Sequence, residues 1–413
     1  MDGQRIILLS DLNSFFASVE RTLDPSLTGK AVAVCGSTET RHGIVLAKSE
    51  LAKKVGVKTG QTNLEAKRAC PELIMLRPQY DQYLKYSKLV KAIYHRYTDQ
   101  VEPYGMDECW LDVTGSQIMG SGLEIAEDIR KAVKEELGLT VSIGVSFNII
   151  LAKLGSDLKK PDAIIVLDEA NWKDSVWPLS VSELLFAGWA TTKELIKARI
   201  LTIGNLAAAD PEMLRRMFGK AGLTLWIFAN GLDTSRVMPS DYISPIKSVG
   251  HGITCTSDLE NNDEAWKVML ELSQDIGHKL RIHELAAKGV QITVKDNKLE
   301  WRQYQAQMPL ATQSPTEIAR KARELFVARY HWSIPVRAVT VRAINLVPKN
   351  RPEQLTFFDD AGGHERRAKL DEAIEEIRRR FGKRSIIQAS LMGDVKLPGH
   401  GVHEVMMPGI MYQ

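Results

Sequence analysis

Residues 101 to 113 read Val-Glu-Pro-Tyr-Gly-Met-Asp-Glu-Cys-Trp-Leu-Asp-Val, two largely apolar runs about a glycine with adjacent carboxylates beside the turn. Such a pattern predicts two strands around a tight turn at Gly105. Asp107 and Glu108 lie in a segment otherwise apolar enough to be core. Like charges there repel and raise one another's pKa unless a cation sits between them. A solvated turn is the competing reading, and a third acid weighs against it. The run Arg5-Ile-Ile-Leu-Leu-Ser-Asp11 has the form of a buried strand ending in a carboxylate.

The patterns between these segments say how they meet. Helical spacing runs from Tyr83 to Tyr97 and again from Leu123 to Leu137. Alternation from Val141 to Phe147 and the run Ile164 to Leu167 predict further strands. With the first strand this gives a split βαββαβ unit carrying residues 14–80 as an insert. That order gathers Asp11, Asp107 and Glu108 at one place. Hard, oxygen-seeking Mg²⁺ is the expected cation. Two such ions suit the activation of a hydroxyl and the stabilisation of a phosphoryl centre.

Residues 176–239 read as short helices punctuated by Pro178, Pro211 and Gly219, and a linker follows at about 240–248. Strand and helix patterns then repeat as βαββαβ over 249–350, leaving 351–413 as a tail with one helix near Leu370 to Phe381. The net charge of the 413 residues is only +3, but its distribution is uneven. From Lys279 to Arg351, 14 Lys and Arg stand against 5 Asp and Glu, an excess of nine, so the remainder sums to −6. A basic module on a mildly acidic body suits a polyanion held by one part and worked on by another. Cys35, Cys70, Cys109 and Cys255 form no CxxC pair, and no apolar run approaches membrane length. A cytoplasmic protein with no membrane association is expected.

Asp11-Leu-Asn-Ser-Phe-Phe-Ala-Ser-Val-Glu20 and Gly105-Met-Asp-Glu-Cys-Trp-Leu-Asp-Val113 resemble the two acidic motifs of Y-family, translesion DNA polymerases. Ser142-Ile-Gly-Val-Ser146, Leu151-Ala-Lys153 and Asp157-Leu-Lys-Lys-Pro161 follow at the family's spacing. Asn13 and Lys48 to Lys54 look closer to the UmuC-like branch than to the DinB-like one. The resemblance implies an α+β, right-hand polymerase: a ferredoxin-like palm (1–13 and 81–175), small fingers (14–80), a helical thumb (176–239) and a little finger (249–350). It implies template-directed synthesis from deoxynucleoside triphosphates on primer-template DNA by a monomer. The metals would be two Mg²⁺ ions, with Mn²⁺ or Ca²⁺ as substitutes.

Residue by residue, the resemblance makes Asp11, Asp107, Glu108 and the carbonyl of Leu12 the metal ligands. Phe16 becomes the steric gate, a ring under the sugar that leaves no room for a 2′-hydroxyl. Lys53, Lys160 and the amides of Ser14 and Phe15 face the triphosphate. Ala47 and Glu50 stand where many members carry hydroxyls toward the phosphates, with Lys48 or Arg41 as candidates to compensate. Ile44 and Leu46 fall on the strand expected to roof the nascent base pair, where ordinary core packing has equal standing. Their size implies that bulky adducts fit poorly.

Gly188 alone remains of the Pro-Gly-x-Gly expected in the thumb, while Lys247, Arg337 and Arg342 are the expected phosphate contacts of the little finger. Gln354-Leu-Thr-Phe-Phe358 resembles the peptide by which bacterial polymerases dock onto the sliding clamp (its β subunit), with Gln354, Leu355, Phe357 and Phe358 as contacts. A catalytically weak or inactive relative, acting as a DNA- and clamp-binding adaptor, is the alternative. A nucleotide cyclase on a similar palm leaves the thumb and the basic module unexplained.

Overall fold

The structure is a computed structural model, described here for residues 5–39, 41, 43–352 and 361–398. Strand β1 (Ile7–Leu12) is buried along its whole length and leads into helix α1 (Phe15–Leu23). Ile7, Leu8 and Leu9 are fully buried, each contributing about 1.5–3 kcal/mol through loss of contact with water. Burial on both faces is why this strand reads as an unbroken apolar run.

The insert forms a small three-stranded sheet of β2 (Val32–Cys35), β3 (Val45–Lys48) and β4 (Ile74–Leu76) in the order β3-β2-β4. Helices α2 (Glu50–Lys54) and α3 (Asn63–Ala69) accompany it, with Ala33, Val45, Ala52, Ala66 and Leu73 in its core. Thr62 and Glu65 close a reciprocal capping box at the start of α3.

Helix α4 (Tyr80–Tyr94) starts three residues before the expected position and stops three before its expected end. Next come β5 (Val101–Tyr104), β6 (Glu108–Asp112), α5 (Gly122–Leu137), β7 (Val141–Ser146), α6 (Ile149–Leu158) and β8 (Ile164–Leu167). The strands form one sheet in the order β5-β6-β1-β7-β8, with β1 at its centre. Its first four members have the βαββαβ order expected, and β8 extends the sheet parallel to β7. Side chains of α4 and α5 join those of β1 in the main core, whereas Ala152 of α6 packs with Ile7, Leu9 and Trp110 in a separate cluster.

The position of α6 depends on one glycine. A Cβ on Gly144 of β7 would stand 1.9 Å from the carbonyl oxygen of Ala152 and 2.5 Å from the amide nitrogen of Ser156. The bare glycine admits the helix backbone against the strand, and this close approach brings Lys153 over the end of β1.

Short helices follow: α7 (Trp172–Val176), α8 (Trp189–Lys197), α9 (Ile203–Ala207), α10 (Pro211–Phe218) and α11 (Lys220–Ala229), sharing a core with Leu195, Ile203, Leu214 and Leu225. The first compact unit holds the described residues up to Gly36 and from Ile44 to Ile243, and the second holds those from Ser37 to Gly43 and from Ser244 onward.

The second unit contains β9 (Val249–Leu259), α12 (Asn262–Ile282), β10 (Leu285–Asp296), β11 (Trp301–Thr312), α13 (Pro315–Arg329) and β12 (Val336–Pro348). Its element order is again βαββαβ, but its sheet runs β11-β10-β12-β9, a different strand order from the first unit. Helices α12 and α13 cover one face of the sheet. Helix α14 (Ala361–Phe381) is longer than the segment read from the sequence, and Leu391 and Val395 pack against Leu270 and Ala319. Residues 361–398 thus belong to this unit's packing.

Candidate active site

The acids meet because the register of β1 places them together. Asp11 lies opposite Glu108 on one side and opposite Ser142 on the other. Gly105, at φ +84°, makes the turn before Asp107, and the Leu12 amide donates to the Asp107 carbonyl at 2.9 Å, tying the strand end to the turn. Asp11 is only 6 % exposed.

Two lysines bridge this cluster. Lys153 Nζ lies 3.3 Å from Asp11 Oδ2, 3.0 Å from Glu108 Oε1 and 3.1 Å from Asp157 Oδ2. Lys160 Nζ lies 2.6 Å from Asp11 Oδ2 and 2.8 Å from Asp157 Oδ1. Burial pushes the Glu108 carboxyl up to about 7 despite Lys153, with Asp11 and Asp107 adding to the rise. Burial and the charge of Asp11 also raise Asp107. Burial works against the charge of Lys153, but Glu108, Asp11 and Asp157 outweigh it and hold the ammonium firmly protonated. Glu108 Oε2 is buried with no hydrogen-bond partner among the described residues.

These observations fit a divalent-cation site in donor chemistry: hard carboxylate oxygens, one of them orphaned, already drawing in two ammonium groups. Among the described residues no three acidic, His or Cys side chains converge closely enough to enclose an ion. The expected ligand cluster is therefore present as an ion-pair network with the lysines. Lys153 was not among the sequence candidates; its signal was its place in Leu151-Ala-Lys153, one turn before Asp157.

Asn13 holds the surrounding backbone. Its Nδ2 donates to Ser142 Oγ at 2.9 Å, and its Oδ1 accepts from the Asp162 amide at 2.8 Å, fixing the loop next to Lys160. Ser14 takes a left-handed conformation at φ 49°, and the start of α1 has no side-chain cap. The first amides of that helix, from Phe15 onward, are therefore available to an anion. Ser14 Oγ donates to Glu50 Oε1 at 2.8 Å, so the unexpected Glu50 is engaged as an acceptor.

Lys53 is exposed on α2, and Lys48 donates to Thr59 Oγ1 at 3.0 Å. Arg41 is paired with Asp258 at 2.5 Å, an engagement that leaves it a poor substitute as a phosphate ligand. Ala47 lies opposite Val34 on β3, Leu46 is half-buried on that strand, and Ile44, 41 % exposed, bridges to Thr62 just before it.

Phe16 is half-buried and stacks on Tyr83, with ring centroids 4.2 Å apart and planes within 10°. Tyr80 meets its edge at 6.2 Å and 82°. Sequence reading missed these tyrosines, whose signal was their spacing of three residues on one helix face.

The remaining candidates lie apart from the acids in sequence. Gly188 starts α8 between exposed Phe186 and Trp189. Within the second unit, Lys247 is exposed before β9, Arg342 is exposed on β12 opposite Gly250, and Arg337 is half-buried. Gly250, Gly252, Trp301, Thr340 and Arg342 line an open groove of about 470 Å³. The residues Gln354, Leu355, Phe357 and Phe358 lie outside the described residues.

Comparison with known proteins agrees along the chain. The impB/mucB/samB family model matches residues 10–157, and the model of that family's C-terminal domain matches residues 246–357. DNA polymerase IV of Acetivibrio thermocellus is 46% identical over 392 residues, 95% of this chain and 98% of that protein. DNA polymerase IV of Pelotomaculum thermopropionicum is 39% identical over 93% of this chain and 94% of that one. Among solved structures, a Y-family DNA polymerase chimera of Dbh and Dpo4 aligns with a TM-score of 0.71 at 24% identity, covering 83% of this chain and 99% of that chain, a likeness of fold. With both family models matched and whole-length relatives at this identity, the chain belongs to the impB/mucB/samB family, the Y-family DNA polymerases.

Proposed function

We propose that this chain is a template-directed DNA polymerase of translesion synthesis, joining deoxynucleotides to a primer end at the site built around Asp11, Asp107 and Glu108. The observation that carries the reading is the pairing of Asp11 opposite Glu108 at the end of the central strand, with a buried, orphaned Glu108 oxygen. Lys153 and Lys160 offset only part of the repulsion among the three acids, leaving Glu108 raised and one of its oxygens without a hydrogen-bond partner among the described residues; such an arrangement is unfavourable in a low-dielectric setting, which weighs against a purely scaffolding adaptor.

Asp11, Asp107, Glu108 and the Leu12 carbonyl would hold two Mg²⁺ ions, with Mn²⁺ or Ca²⁺ as substitutes. When bound, they supply activation of the 3′-hydroxyl and charge stabilisation at the transferred phosphoryl group. Lys160, Lys53 and the amides of Ser14 and Phe15 take the triphosphate, and binding it draws Lys160 away from Asp11. Phe16 places a ring under the sugar and excludes a 2′-hydroxyl. Ile44 and Leu46 roof the base pair. Gly188, Lys247, Arg337 and Arg342 contact the DNA backbone without reading sequence.

In this assignment residues 1–13 and 81–175 are palm, 14–80 fingers, 176–239 thumb and 249–350 little finger. Asn13 and Lys48 to Lys54 favour the UmuC-like branch, but whole-chain relatives named DNA polymerase IV favour the DinB-like one and weigh more. No described helix is long and apolar enough to cross a membrane, and all four cysteines are free and buried. A monomer working in the cytoplasm is part of the same proposal.

Primer extension by the wild type and by Asp107→Ala with Glu108→Ala tests the catalytic reading: the double variant is expected to lose extension, and equal extension would refute it. Clamp docking through Gln354, Leu355, Phe357 and Phe358 is tested by pull-down with the sliding clamp. Phe357→Ala with Phe358→Ala is expected to abolish capture, and undiminished capture would reject the assignment.

A further inference from the structure

We infer that Glu20 determines sugar discrimination by holding Tyr83, and through it Phe16, in place. The inference rests on the reading of Phe16 as the ring under the sugar. Glu20 lies four residues beyond Phe16 on α1 and is only 5 % exposed. It makes no ion pair among the described residues, and nothing in the proposed chemistry uses it. Both of its oxygens are nonetheless engaged. Oε1 accepts from the Tyr83 hydroxyl, and Oε2 accepts from Gln79 Nε2 at 2.7 Å.

A buried carboxylate without a cation is a poor way to glue α1 to α4, since an apolar side chain would do so without the desolvation penalty. What the carboxylate adds is direction. Tyr83 is fully buried and stacked on Phe16. Stacked rings slide past one another at little energetic expense, because dispersion and offset stacking tolerate a range of positions. A charge-assisted hydrogen bond at the far end of Tyr83 removes that freedom, and Gln79 in turn orients the carboxylate. Tyr80 closes the edge of Phe16. The wall meeting the sugar is therefore positioned by a chain of contacts, Gln79 to Glu20 to Tyr83 to Phe16. An extra hydroxyl is excluded only while that wall stays rigid, which makes Glu20 a positioning residue for specificity.

The test measures kcat/KM for a templated deoxynucleotide and for the matching ribonucleotide in wild type, Glu20→Leu, Glu20→Gln, Tyr83→Phe and Phe16→Ala. Glu20→Leu is expected to raise the ribonucleotide-to-deoxynucleotide ratio about tenfold, the scale set by one buried hydrogen bond to a charged group. Tyr83→Phe keeps the ring but cuts the tie and should follow it. Glu20→Gln retains an acceptor and should stay within about threefold of wild type. A merely structural role would slow both substrates together and leave the ratio unchanged. If Phe16→Ala raises the ratio while Glu20→Leu and Tyr83→Phe leave it unchanged, the inference is overturned. If Phe16→Ala itself leaves it unchanged, the gate reading fails instead. Should Glu20→Leu not fold, Tyr83→Phe decides the matter.

Discussion

At the scale of single residues, the acids were visible in the sequence and their counter-charges were not. Adjacent carboxylates in an apolar hairpin conflict with their surroundings, and such conflict marks a site. A lone lysine in a helix creates no conflict, because its usual place is the surface. Only the packing of α6 against Gly144 shows that Lys153 sits among Asp11, Glu108 and Asp157. Replacing it takes the ion-pair partner from Glu108 and leaves Asp11 and Asp157 with Lys160 alone. Lys153→Met is expected to lose about 3 kcal/mol of stability in chelator. Because a divalent cation relieves the repulsion among the carboxylates, Mg²⁺ should raise its melting temperature more than that of the wild type. Thermal melts with and without Mg²⁺ check this, and equal responses would show that the acids do not share a cation site. The aromatic stack under Phe16 escaped the sequence for a similar reason, since tyrosines at helical spacing read as ordinary core.

At the scale of elements, buried strands were the most legible part. The run Ile164 to Leu167 is a strand with those bounds, and β1 announced itself by apolar residues on both faces. Helix α14 shows where this reading stops. Apolar periodicity marks only the C-terminal half of the helix, whereas charged pairs anchor it along its length. Glu317 accepts from Arg367 at 2.7 Å and lies 3.0 Å from His364, Arg281 pairs with Glu375 at 2.8 Å, and Lys349 with Glu372 at 2.9 Å.

A related pairing secures α12. Burial alone would raise the Asp275 carboxyl, but His251 and Lys383 outweigh it and hold it down at about 2, against an ordinary value of 3.8. A carboxylate depressed in the folded state binds protons less readily than in the unfolded chain. Its contribution is thus complete above about pH 4 and is lost as pH falls toward 2. Asp275→Asn is expected to cost about 2 kcal/mol at pH 7. Denaturant unfolding from pH 7 down to 2 should show the gap between variant and wild type closing; a gap independent of pH would contradict the assignment.

At the scale of the whole molecule, one element order, βαββαβ, occurs twice with two strand orders. Sequence periodicity finds the elements but not which strands become neighbours, because neighbour choice is settled by packing across many residues. In the first unit the chosen order sets Asp11 against Glu108, and in the second it leaves a sheet face with Arg342 exposed. Polymerisation as proposed depends on the three acids acting as one catalytic centre. Its most direct measurement is single-nucleotide insertion on an undamaged template by wild type, Asp11→Asn, and Asp107→Asn with Glu108→Gln, with DNA affinity determined in parallel. Each variant is expected to lose at least about a thousandfold in rate, roughly 4 kcal/mol of transition-state stabilisation, while still binding primer-template DNA. Insertion by either variant within about tenfold of the wild type would contradict the account.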